Sequence, residues 1–148
     1  MATTDGTPTV ASARLIAAAL TLATIGYAVV GTALVLTHVI PEGGLTELPE
    51  QSELILKAAL LLAGIGATAA SFLIRRMRDA KAPAGDDGIP ARTANLIVAM
   101  ALVESAGVNG FVIALITGDA MFSMLLWGMA IAGCILHFPT SASFGPRA

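Results

Sequence analysis

Four long apolar runs, parted by prolines, glycines and clusters of charge, decide what this chain can become. They cover about residues 14–40, 53–77, 92–117 and 120–138. Each is close to the ~20 mostly apolar residues that a helix needs to cross a bilayer. Pro41 closes the first run, and Gly43-Gly44 and Pro49 break the loop after it. Gly118-Asp119 turns the third run into the fourth, and Pro139 ends the last. Apolar residues make up 56% of the chain and charged residues 12%, whereas a soluble domain carries about 25% charged residues. So few charges cannot coat a surface that faces water. The expected fold class is therefore all-α, an integral membrane four-helix bundle occupying residues 14–138, with polar tails at residues 1–13 and 139–148.

Charge placement orients the bundle. Four spans put both termini and the middle loop on one side. All the basic residues except Lys57 fall there: Arg14, Arg75, Arg76, Arg78, Lys81, Arg92 and Arg147. The opposite side holds Lys57 among Glu42, Glu47, Glu50, Glu53 and Asp119. The positive-inside rule then places both termini in the cytoplasm, in a cytoplasmic (inner) membrane of bacterial type. Residues 1–12 hold Asp5 and no Lys or Arg, unlike the basic opening of a secretory signal, so the first run is expected to stay as an anchor. A net charge of −2 offers no basic surface for nucleic acid. The lipid bilayer is the expected partner, with a homo-oligomer or a larger membrane complex beyond it.

One acid, Glu104, stands near the middle of the third run. A carboxylate at that depth costs a few kcal/mol or more, so an intramembrane acid reads as functional by default. Lipid favours the neutral form, and Glu104 is expected to rest protonated. Its proton needs an acceptor: the hydroxyl of Ser105 or Thr68, or a backbone carbonyl. Helical spacing groups Met100, Ala101, Glu104, Gly107 and Val108 on one face. Gly107 would let a second helix, by this reading the second run, come close to the acid. Small residues, here Gly64, Gly66, Gly107 and Gly110, are the expected helix-packing positions, because association in lipid depends on close approach.

Around that acid, Glu104-Ser105-Ala106-Gly107-Val108-Asn109-Gly110-Phe111-Val112-Ile113-Ala114-Leu115 resembles the ion-binding helix of the rotary ATP synthase c subunit, the membrane proteolipid. In that family a small residue follows the acid by six positions, and a Val-Ile-Ala-Leu-like run comes next. Ala63-Gly64-Ile65-Gly66-Ala67-Thr68-Ala69-Ala70-Ser71 resembles the glycine-rich first helix of the same hairpin. The resemblance covers about residues 54–117. It implies reversible binding of a proton at Glu104, or of sodium with Ser105 helping to coordinate it as in the sodium-binding branch, within an ion-translocating assembly. The chain departs from the family in lacking the Arg-Gln/Asn-Pro loop signature, in having no glutamine on the second helix, and in carrying two extra helices. The alternative is a structural or accessory membrane protein without an ion-transport role.

Nothing in the chain spells an enzyme, a cofactor or a metal site. It has no glycine-rich phosphate loop, no metal-ligand spacing, and no nucleophile beside a base. His38 and His137 fall at opposite membrane faces and read as interfacial polar residues. Cys134, alone, reads as an apolar-run residue. Asn109 is five positions past Glu104, off its face, and is expected to bond another helix. Glu53 and Lys57 are four apart in the favourable order and are expected to pair. The two halves, each a helix pair, can be aligned with Val30-Gly31 on Asn109-Gly110, by old duplication or by similar composition alone.

Overall fold

The computed structural model describes residues 9–41 and 43–140. Helix α1 spans Val10–Leu36, α2 Glu50–Asp79, α3 Ile89–Thr117 and α4 Ala120–His137. A single 3-10 turn at Asp86–Gly88 leads into α3, and there is no strand among the described residues. All four helices are long and apolar enough to cross a membrane. Leu15, Leu22, Leu62 and Leu136 remain at least two-thirds exposed on the outside of the bundle. Apolar surface of that extent belongs in lipid rather than water.

Helix ends follow local chemistry. α1 starts earlier than the expected residue 14 because Thr9 and Ser12 form a reciprocal cap, each side chain bonding the other's backbone N–H at 3.2 and 2.8 Å. It also ends at Leu36, short of residue 40. Pro41 disfavours helical backbone at Ile40, and His38 takes a positive φ of 53°, which turns the chain back over the bundle. Ile40 is buried there, and the Leu45 N–H donates to the Leu115 carbonyl at 2.9 Å. α2 extends past residues 53–77 at both ends. Glu50 and Glu53 in its first turn and Arg76 and Arg78 in its last oppose the helix dipole favourably. Pro90 sits in the first turn of α3, which starts at Ile89 rather than residue 92. Gly118 ends α3 in the left-handed region at φ 66°, and Asp119 caps α4 by accepting from the N–H groups of Met121 and Phe122 at 3.0 and 3.1 Å.

The helices run up and down in succession, and α3 lies at the centre, packed by the other three. Its Leu96, Met100, Val103, Ala106 and Ile113 form the core with Leu126, Ala130 and Cys134 of α4 and Ala13 and Ala17 of α1. α2 offers only small buried residues, Gly64, Thr68 and Ser71, and so lies close against α3 and α4. Gly64 faces Ala106 and the Leu126 side chain. Trp127 is clamped between Gly31 of α1 and Gly110 of α3, and its Nε1–H donates to the Gly107 carbonyl at 3.1 Å. The two glycines aligned between the halves thus hold opposite sides of one indole.

Candidate functional site

Glu104 lies near the midpoint of α3 and is half-buried. Its direction follows from its neighbours on the helix. Ala106 meets Gly64 of α2, and Asn109 donates to the Leu60 carbonyl of α2 at 3.3 Å. Each residue turns a helix by about 100°, so Glu104 stands some 160° from Ala106, on the side of α3 away from α2. Phe111, two turns further along the Glu104 stripe, packs on α1 through Tyr27, ring centroids 6.1 Å apart, and against Gly31. Gly107 meets Thr24 and Tyr27 of α1 and Ala130 of α4. The helix brought close by Gly107 is therefore α1, with α4, and not α2 as the sequence reading supposed.

This geometry separates the three residues grouped in the sequence as an ion site. The Ser105 hydroxyl donates to its own helix at the Leu102 carbonyl, 2.6 Å away. Thr68 is buried on α2, and its hydroxyl has no hydrogen-bond partner among the described residues. Neither bonds Glu104, which makes no hydrogen bond or ion pair among the described residues. The polar groups near the acid come instead from α1 and α4. Cys134 is buried within electrostatic range of Glu104 and lies 3.8 Å, sulfur to oxygen, from the Thr24 hydroxyl. Thr21 lies one turn before Thr24, on the same face of α1. Both threonines donate to their own helix, at Ala17 and Leu20, 2.8 and 3.0 Å away. The signal available in the sequence was the spacing of Thr21 and Thr24, three apart in a first helix that also carries Ser12, Arg14 and Thr32.

Of the four glycines expected to pack helices, Gly64, Gly107 and Gly110 do so, whereas Gly66 has nothing within 4 Å of where a Cβ would stand. Gly66 faces outward because Gly64 takes the inward direction two residues earlier. Asn109 bonds α2, as expected, and Trp127 and Tyr27 pack inside the bundle.

Polar clusters close both ends. At the end holding the α1–α2 loop, the Lys57 ammonium lies 2.6 Å from Glu53 and 2.7 Å from Asp119, above the Phe122 ring. Burial alone would push the Asp119 carboxyl up. The Lys57 hydrogen bond, the Phe122 N–H, the Lys57 charge and the Met121 N–H outweigh it and hold the group below its usual range. At the other end His137, the last residue of α4, is buried within the bundle, with 2% of its surface exposed. It bonds Ser71 at 2.9 Å and Arg75 at 3.1 Å, and its carbonyl accepts from Arg75 at 2.7 Å. Asp79 lies 3.5 Å from Arg75 and accepts from Asn95 at 2.9 Å. This cluster ties α2, α3 and α4 together. No group of three His, Cys, Asp or Glu is placed to hold a metal ion among the described residues.

Comparison of the chain with protein-family models, curated proteins and solved structures gives no match.

Proposed function

We propose that this protein is a proton-binding component of a membrane, holding a proton reversibly at Glu104 within a larger ion-translocating assembly. The observation that carries the reading is Glu104 itself: the acid is half-buried at mid-span and makes no hydrogen bond or ion pair with the described residues. A proton fits better than sodium, which needs several oxygen ligands. Thr68, a candidate partner of the acid, lies on α2, on the far side of α3 from Glu104.

The resemblance to the c subunit enters as the class of assembly. It is supported by the antiparallel α2–α3 pair, drawn together at Gly64 and Ala106. In a rotor ring the acid must meet a stator on the outer face, and here α1 packs along that side. The reading is therefore an attached proton-binding subunit, with both termini in the cytoplasm, and not the ring itself. The chemistry is that of a proton site and not of a covalent catalyst. The same packing of α1 beside Glu104 favours a second reading, a structural subunit whose acid is sealed against exchange.

Labelling by a hydrophobic carbodiimide, which attacks protonated carboxyls in apolar places, separates the two. Run between about pH 5 and pH 8 with Glu104→Gln as control, it is expected to modify Glu104 selectively up to neutral pH, without protection by sodium. Absence of labelling at every pH would leave the structural reading. Native mass spectrometry is expected to give monomers or small oligomers; a large closed ring would restore the rotor role.

A further inference from the structure

We propose that the cleft between the C-terminal ends of α2 and α4 binds the phosphate of an anionic phospholipid. The cleft holds about 420 Å³ and is lined by Phe72, Arg75, Arg76, Asp79, Leu136 and His137 among its residues. It lies where two spanning helices end, at the depth of lipid headgroups. This site is independent of Glu104 and of the proton reading.

Its floor is fixed by an ordered chain of hydrogen bonds. Ser71 has one hydroxyl proton and gives it to the Thr68 carbonyl at 2.6 Å. The 2.9 Å contact between Ser71 and His137 Nε2 therefore needs the imidazole to donate. Nδ1 is then the acceptor, and it receives Arg75 Nη1 at 3.1 Å. Phe72 stacks on the imidazole with ring centroids 4.3 Å apart. Arg75 is thereby held in one orientation by His137 and Asp79, with its Nη2 making no hydrogen bond among the described residues.

Two cationic groups thus face the cleft against one acid. Asp79 is committed to Arg75 and Asn95. Arg76 is exposed and makes no hydrogen bond or ion pair among the described residues. A guanidinium offers paired N–H groups in a fork that matches phosphate oxygens. Arg78 and Lys81 add positive potential at the same end. The wall beside these charges is apolar and open: Phe72 is 39% and Leu136 69% exposed. A soluble phosphate has no use for such a wall, whereas an acyl chain below a headgroup lies along it. Charge above and exposed apolar side chains below select a lipid as the occupant.

Native mass spectrometry of the full chain, released from detergent and titrated with dioleoyl phosphatidylglycerol, reads the first binding step. The wild type is expected to prefer this lipid to dioleoyl phosphatidylcholine by about tenfold. Arg76→Gln is expected to remove that preference. Arg78→Gln, which changes the same charge at the same end outside the cleft, is expected to cost less than about threefold. Arg76→Lys, which keeps the charge without the fork, should fall between. Arg76 supports no contact in the fold, and unchanged thermal unfolding of the variants checks this. Inorganic phosphate at about 10 mM should not displace the lipid. Equal losses from Arg76→Gln and Arg78→Gln would show diffuse surface charge and overturn the site. So would equal binding of the two lipids. Displacement by inorganic phosphate would make it a soluble-anion site and overturn the lipid.

Discussion

Gly110 leaves no room for a side chain. An added Cβ would stand 2.9 to 3.0 Å from the Trp127 ring and the Ser123 carbonyl, and both belong to packed parts of α4. Gly110→Val should therefore force α3 and α4 apart and destabilise the fold by about 1–3 kcal/mol. Gly66→Ala meets empty space and removes a flexible residue from a helix interior, so it should be neutral or stabilise by up to about 1 kcal/mol. Thermal unfolding of both variants in one detergent compares them directly, and similar losses from both would contradict the packing described for α2. The sequence shows that these glycines are small, but not which way each one points. In α2 small residues occupy every direction from Ala63 to Ser71, so composition leaves its rotation about the axis open. The same gap explains Glu104. Its depth in the third run is legible from the sequence alone, because depth depends only on position between polar ends. Its neighbour is not, because α1, α2 and α4 are all apolar enough to sit beside it. Only tertiary packing, led by Trp127 between Gly31 and Gly110, turns it away from α2 and toward α1.

At the scale of elements, the bundle is held at its ends by polar clasps and through its middle by close approach. α2 has few large buried side chains, so Lys57 at one end and Arg75 at the other matter more to its docking than they would in a thicker core. The Lys57–Asp119 clasp predicts acid sensitivity. The folded Asp119 carboxyl lies below its usual range, and an unfolded aspartate takes up its proton near pH 3.9. The contribution is therefore fully present above about pH 4 and is lost as pH falls through the lower folded value. Thermal unfolding followed from about pH 6 to pH 3 should fall more steeply in the wild type than in Asp119→Asn, which has already lost the charge. Parallel curves would mean that Asp119 does not help to hold α2. Half of this clasp was readable in advance, since Glu53 and Lys57 are neighbours on one helix. Asp119 could not be added from the sequence, because it joins across 62 residues through a turn whose direction depends on Gly118. The opposite clasp was missed for a related reason. His137 reads as an end-of-helix polar residue until α2 and α4 are packed, and then Ser71 and Arg75 close over it.

At the scale of the molecule, the two ends of the bundle differ in charge, and the difference bears on its direction in the membrane. Arg75, Arg76, Arg78 and Lys81 end α2 or follow it, whereas the end holding the α1–α2 loop has Lys57 with acids around it. A single Lys57 already paired with Glu53 and Asp119 contributes little free positive charge. The bias is therefore strong, and it rests mainly on the last turns of α2 and the loop that follows. Cysteines placed at Glu47 and Ala84, both exposed, in a Cys134→Ser background would report the direction through an impermeant maleimide added to intact cells. Glu47→Cys is expected to react from outside, and Ala84→Cys only after lysis. Reversing the pattern would turn the protein over and put the Arg75–His137 end on the outer face. A second set carrying Arg76→Gln, Arg78→Gln and Lys81→Gln together tests the cause. These three side chains are exposed, so the packed bundle should survive their loss while the orienting charge falls. Ala84→Cys should then become labelled in a fraction of molecules, since adding or removing such charges near span ends can flip a topology. An unchanged pattern in the triple variant would place the orienting signal in the basic residues that remain, Arg14, Arg75, Arg92 and Arg147. Arg92 is 3% exposed and donates to the Pro83 carbonyl at 3.1 Å, so this outcome would tie the direction of insertion in part to a residue that also shapes the loop.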